Sequence, residues 1–148
     1  MGIPPSTREA VMTALFQRLQ ALQPTHFVTV SRKLKMWSDV TAEEQPALFM
    51  SDHTENQVSS SRGLPRKTEW DVVFFIYARA PDENTLGTVV LNNLLDALED
   101  ALVPSVSDNV LTLGGTVYRV WGDGEIRKDP GDLDGQAVAI YPMKIRPP

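Results

Sequence analysis

The segment Trp70–Tyr77, WDVVFFIY, is apolar on both sides if it forms a β-strand. Successive side chains of a strand point to opposite faces. One face would carry Trp70, Val72, Phe74 and Ile76, and the other would carry Val73, Phe75 and Tyr77. Strands of a small antiparallel sheet usually alternate apolar with polar residues, because one face of the sheet is wet. Both faces of this strand therefore need a cover, and the sequence predicts a protein–protein interface.

The composition narrows the class of protein. The chain has 148 residues, which predicts a single domain over residues 1–148. Cysteine is absent, which excludes disulfides, thiolate nucleophiles and zinc–cysteine sites. No apolar run is long enough to span a bilayer, so we expect no membrane partner. We also expect the protein to lie in the cytoplasm of the cell that makes it. The net charge of −5 argues against binding nucleic acid with the whole surface.

Two runs of residues have helical periodicity. Apolar side chains recur every three or four positions over 6–22 and over 85–103, and Pro24 and Pro104 follow these runs. Each run therefore predicts an amphipathic helix. Ser6 is followed by Glu9 in a capping-box pattern, and we favour this interpretation over a myristoylation signal at Gly2.

The remaining segments predict strands and turns. Strands are expected at 27–32, 47–50 and 68–79. After the second helix, a hairpin is expected over 110–121, with its second strand continuing at 125–128, and a closing strand at 136–145. Gly114-Gly115 predicts a two-residue hairpin turn, residues 53–65 a long polar loop, and Pro142 an edge or bulge in the last strand. The expected order is α-β-β-β-α-β-β-β. This order indicates an α+β fold, an antiparallel or mixed sheet with both helices on one face.

No group of residues has the pattern of a catalytic or metal site. Asp129, Asp132 and Asp134 resemble part of a calcium loop, but their spacing and Pro130 favour a turn. The carboxylates of the second helix lie on its predicted solvent face, and neither histidine accompanies a serine elbow. We therefore expect that the protein is not an enzyme and that it has no catalytic residues, metal or cofactor. A small metal-dependent hydrolase and a nucleic-acid-binding domain that stacks bases on the sheet aromatics are the alternatives.

The layout resembles the tail terminator proteins of long-tailed bacteriophages, the minor tail protein U-like family. The segments that carry the resemblance are the helix Arg8–Leu22, the strand Gln45–Met50, the strand Thr68–Arg79, the helix Leu86–Leu102 and the hairpin Gly124–Ile145. The resemblance implies a virion protein that forms a hexameric ring at the head-proximal end of the tail. Such a ring caps the tail tube, ends its polymerisation and offers the surface for head–tail joining.

The resemblance also implies partners. These are further copies of the chain, the tail tube protein and a head–tail connector or neck protein, while DNA passes through the ring without sequence-specific binding. It implies no catalytic activity and no cofactor. A head–tail connector or neck completion protein is the nearest alternative, because such proteins share much of the layout.

Candidate interface residues follow from the two-faced strand and the polar loop. Val73, Phe75 and Tyr77 are expected to contact a neighbouring subunit, with Arg79 as a polar flank. The loop is free to reach a neighbouring ring and supplies His53, Arg62 and Arg66 as further candidates.

Overall fold

The computed structural model describes residues 7–58, 67–104 and 111–147. In chain order the elements are α1 (Arg8–Gln20), β1 (Thr29–Ser31), β2 (Ala47–Val58), β3 (Lys67–Ala78), α2 (Gly87–Ala101), β4 (Arg119–Gly122), β5 (Arg127–Asp129) and β6 (Ala137–Arg146). Two short 3-10 turns, Trp37–Asp39 and Ala42–Glu44, separate β1 from β2. The predicted order and the α+β class are confirmed.

The strands of the described residues form one mixed sheet in the order β1-β2-β3-β6-β4, and β5 also pairs with β6. Strand β1 runs parallel to β2, and every other pair is antiparallel. The long strand β3 therefore lies in the middle of the sheet, with β2 on one side and β6 on the other. Both edges of β3 are therefore hydrogen-bonded to neighbouring strands, and its two apolar faces are what need cover.

Both helices pack against one face of the sheet, which we call the inner face. The buried residues there are Val11, Leu15 and Leu19 of α1, Leu91, Leu94 and Leu98 of α2, and Trp70, Val72, Phe74 and Ile76 of β3. The predicted core face of the central strand is thus confirmed. The N-cap of helix α1 lies one residue later than predicted: the Thr7 hydroxyl accepts the backbone N–H of Ala10 at 3.2 Å, and Ser6 lies outside the described residues.

The opposite, outer face of the sheet is partly covered by residues 33–45, which we call the covering segment. Val40 of this segment packs with Ala47, Phe49 and Tyr77 in a second buried cluster. The Tyr77 hydroxyl donates a hydrogen bond to the carbonyl oxygen of Lys35 at 2.9 Å. The expectation that this face is open is therefore wrong at its Tyr77 end, because the chain folds back over it.

Strand β2 extends beyond its predicted end. Residues 53–58 are expected in a polar loop, but His53 lies in a β-bulge between Asp52 and Thr54, and residues 54–58 pair with Lys67–Asp71 of β3. Backbone pairing rather than burial holds this part of the strand, since residues 52–57 are exposed. The rest of the predicted loop, residues 59–66, lies outside the described residues.

Two turn predictions need correction. Strand β6 is not an edge strand, and Pro142 faces the gap between the end of β4 at Gly122 and the start of β5 at Arg127, where a missing N–H costs nothing. Gly114 and Gly115 do have positive φ, 73° and 89°. The strand expected before them is reduced to a single bridge between Leu111 and Val120, because the turn is longer than two residues.

A buried pair of side-chain amides fixes the covering segment to the sheet. Gln45 and Gln136 donate to each other's side-chain oxygen, each at 2.9 Å. Gln45 also donates to the carbonyl oxygen of Val40, and Gln136 to that of Ala78 at the end of β3. Within the described residues every buried side-chain nitrogen and oxygen has a partner. The pair therefore joins the covering segment, β3 and the start of β6.

Removing one member of this pair leaves the other partly unsatisfied. We expect Gln136→Leu to lower the free energy of unfolding by about 1–3 kcal/mol, because the buried side-chain oxygen of Gln45 then lacks its donor while its nitrogen keeps only Val40. The double variant Gln45→Leu/Gln136→Leu should lose less than the sum of the two single variants. Urea unfolding of the four proteins measures this coupling, and additive losses would contradict it.

Candidate interface on the outer sheet face

An apolar stripe remains on the outer face beside the covered cluster. It consists of Val73, Phe75, Ile140 and Pro142, and we call it the outer stripe. The sheet register places Val73 opposite Pro142 and Phe75 opposite Ile140, so the four side chains are cross-strand neighbours. All four are half-buried in the single chain. Apolar surface in this position is available to a partner.

A group of ion pairs borders the outer stripe on the side towards the β2–β3 hairpin tip. Lys144 Nζ lies 2.7 Å from Asp71 Oδ1, and Arg146 pairs with Glu69. The Thr54 hydroxyl and the Asn56 amide both donate to Asp71 Oδ2. These side chains share the outer face because the register places Asp71 opposite both Thr54 and Lys144.

The pKa values of this ion pair follow from its contacts. Burial acts to raise the pKa of Asp71, but hydrogen bonds from Lys144, Thr54 and Asn56 outweigh it and hold the pKa below its usual value. The hydrogen bond to Asp71 raises the pKa of Lys144, against the opposing effect of desolvation. Both groups stay charged at neutral pH. The pair is suited to fixing the surface and recognising a partner rather than to moving a proton.

Trp121 lies at the end of this group and is half-buried between two arginines. The guanidinium carbons of Arg119 and Arg146 lie 5.0 and 5.9 Å from its ring centroid, within cation–π range. An aromatic ring between cations is the kind of site that stacks a nucleobase. Glu69 and Asp71 already pair with the nearby Arg146 and Lys144. The patch therefore carries little surplus positive charge for a phosphate backbone.

The structure places the predicted interface residues in different environments. Val73 and Phe75 lie together on the outer stripe, whereas Tyr77 is buried beneath the covering segment at 5% exposure. Arg79 is exposed just after β3, and His53 is exposed at the β-bulge of β2. Arg62 and Arg66 lie outside the described residues.

Sequence reasoning did not single out Ile140 and Pro142 as candidate interface residues. The signal was present, since residues 137–143, AVAIYPM, are apolar at both alternate sets of positions, as in β3. This pattern marks a second central strand with two faces to cover.

Two of the acidic residues with a calcium-loop pattern, Asp129 and Asp134, accept backbone hydrogen bonds in the β5–β6 turn. A side-chain oxygen of Asp129 accepts the backbone N–H of Gly131, and one of Asp134 accepts that of Gln136, each at 3.0 Å. Over residues 7–58, 67–104 and 111–147, no three histidine or carboxylate side chains lie close enough together to hold a metal ion. Neither helix in these ranges has the length and apolarity to cross a bilayer.

Comparison with known proteins gives structural matches. No protein-family profile matches the sequence, and no curated protein sequence matches it. A chain from the virion of a native gene transfer agent particle is 14% identical, with 93% of both chains covered and a TM-score of 0.53. The gp17 protein of bacteriophage SPP1 is 13% identical, with 93% of this chain and 88% of that chain covered and a TM-score of 0.49. The first of these matches shows a shared fold over nearly the whole chain.

The depressed pKa of Asp71 predicts a pH-dependent contribution to stability. We expect Asp71→Asn, which keeps the shape and an acceptor oxygen, to lower the free energy of unfolding by about 1 kcal/mol at pH 7. A carboxylate with a depressed folded-state pKa stabilises fully above its unfolded value of about 3.9. Its contribution is lost as the pH falls through the folded-state value.

Urea unfolding of both proteins between pH 7 and pH 3 measures this effect. The difference between them should narrow below about pH 4. A difference that stays constant across this range would mean that the charge of Asp71 contributes nothing.

Proposed function

We propose that this chain is a structural protein of a tailed virion, a tail terminator that assembles into a homo-oligomeric ring. The ring, a hexamer, caps the tail tube at the head-proximal end, stops its polymerisation and presents a docking surface for the head. The observation that carries the proposal is the fold shared with a virion chain over 93% of both chains at a TM-score of 0.53. The resemblance of the sequence layout to tail terminators supports the same role. A structural role needs no catalytic centre.

The outer stripe suits a protein–protein contact. Interfaces combine an apolar centre with a polar rim. Here Val73 and Phe75 supply part of the centre, and the Asp71–Lys144 pair supplies a charged rim. Tyr77 supports Phe75 from beneath the covering segment. In this proposal Arg79 and His53 contribute to the margins of the contacts between the subunit and its neighbours, and Arg62 and Arg66 remain candidates for the contact with a neighbouring ring.

The partners in this proposal are further copies of the chain, the tail tube protein and a head–tail connector or neck protein. The polar β2–β3 hairpin is the element we assign to a neighbouring ring, because its exposed residues 52–57 lie beyond the part of β2 that β1 pairs. DNA would pass through the ring without sequence-specific contacts. The protein would be found in the virion, and in the host cytoplasm during assembly.

Loss of the protein tests the terminator role directly. A phage that lacks this chain should make tails of uncontrolled length, and supplying the chain should restore a uniform length. Electron microscopy of negatively stained lysates measures the length distribution. Tails of normal length that fail to join filled heads would instead identify a neck completion protein.

A substitution on the outer stripe tests the interface. We expect Phe75→Asp to fold and to lose about 1–2 kcal/mol of unfolding free energy, because the ring is only half-buried. The same variant should fail to enter rings and tails, since a carboxylate would be buried at the subunit contact.

Phe16→Asp is the matched control. Phe16 is also half-buried, but it packs on the helix side of the core. It should cost similar stability while leaving assembly intact. Light scattering of the purified proteins and immunoblots of purified tails measure assembly, and equal incorporation of the two variants would remove the outer stripe from the interface.

A further inference from the structure

Residues 32–37, RKLKMW, form a surface segment in which cations alternate with exposed apolar side chains. Leu34, Met36 and Trp37 are 41%, 65% and 48% exposed. Arg32 pairs with Glu9 and Lys35 with Glu44, and the side chains of these pairs are between 29% and 70% exposed. A cluster of exposed large apolar residues marks a contact site, and tryptophan is enriched among residues that dominate binding energy.

A second surface has the opposite charge. A cleft of about 510 Å³ lies between the loop that follows β3 and the β5–β6 turn. Asp82, Glu83, Asp132 and Leu86 line it together with Arg79. Leu86 is 61% exposed, and Leu133 at the tip of the turn is 104% exposed. The cleft is therefore acidic, with the exposed side chain of Leu86 in its lining and Leu133 on the adjoining turn.

The walls of this cleft are held by short backbone contacts. A Cβ on Gly87, the first residue of α2, would lie 1.9 Å from the carbonyl oxygen of Pro130, so the turn packs directly on the helix. Asp82 accepts the backbone N–H of Asn84 and the hydroxyl of Thr85, each at 2.9 Å. The cleft is a defined feature of the folded chain.

We propose that residues 32–37 of one copy dock in the acidic cleft of a neighbouring copy. The charges are complementary, and each surface presents apolar side chains for the other to bury. Pairing either surface with itself would bring like charges together, so the contact joins two different surfaces. Such a heterologous contact repeats head to tail, and it forms a ring when the rotation between neighbours closes, as the proposed hexamer requires. This inference rests on the ring of the proposed function and adds, beside the outer stripe, a second contact between neighbouring subunits.

Covalent trapping tests the contact without background, because the chain contains no cysteine. A protein with both Trp37→Cys and Leu86→Cys should give a ladder of disulfide-linked multimers on mild oxidation. An equimolar mixture of the two single variants should stop at the heterodimer. The control Gln20→Cys/Leu86→Cys places the first cysteine on the exposed side of α1. It should give at least tenfold less multimer, and equal yields in the two double variants would overturn the proposal.

Charge exchange gives a second test. Lys33→Glu/Lys35→Glu makes the segment acidic, and Glu83→Lys/Asp132→Lys makes the cleft basic. Each variant alone would oppose like charges at every contact and should assemble at least tenfold less than the original chain. An equimolar mixture should regain assembly, because acidic segments then meet basic clefts and the unchanged surfaces meet each other.

Far-UV circular dichroism and thermal melting establish that both variants fold, and light scattering measures assembly. A variant that assembles normally alone, or a mixture that does not recover, overturns the proposed contact. If the proposed contact is overturned but the protein still forms rings and ends tails normally, the proposed function stands and the ring uses another interface. Normal tail length in the absence of the chain rejects the proposed function, whatever the cross-linking ladder shows.

Discussion

The side-chain amides of Gln45 and Gln136 hydrogen-bond to each other inside the chain, and the arrangement of the outer sheet face depends on them. Burying an amide without a hydrogen-bond partner costs free energy, so each of the two residues requires the other as its partner. Because Gln45 ends the covering segment, this pair holds Val40 over Phe49 and Tyr77. Without that cover, Phe49 and Tyr77 at the apolar end of the outer face would be exposed to water. The same anchoring leaves Leu34, Met36 and Trp37 of the covering segment on the surface.

The outer face is thereby divided into three zones with different physical roles. One end is closed by the chain itself, the middle carries the half-buried outer stripe, and the other end carries the ion pairs around Asp71 and Lys144. The charged side chains of that pair are each 22% exposed, so they have already lost much of their hydration within the single chain. A partner that covers them further would meet charges already matched by hydrogen bonds, which lowers the desolvation penalty of the contact.

Local patterns predicted much of the fold. The stripe at Val11, Leu15 and Leu19 needs only helical spacing, and the two-faced strand at 70–77 needs only alternation. The extension of β2 escaped prediction because polar residues such as Thr54 and Asn56 become a strand only by pairing with β3. The burial of Tyr77 also escaped it, since the anchoring amides are 91 residues apart in the sequence. Of the candidate interface, Val73 and Phe75 followed from alternation, but Ile140 and Pro142 joined them only through the β3–β6 register.

The contact between the backbones of Gly87 and Pro130 determines the geometry of the acidic cleft. No side chain fits at Gly87 without displacing the turn, so its backbone sets how closely helix and turn approach. The cleft takes its charge and apolar character from three residues on the segments that this contact holds together, namely Glu83, Leu86 and Asp132. They can therefore be exchanged without altering its shape. A family of such chains could change which neighbours it accepts by substituting rim residues alone, while every member kept the same angle between helix and turn.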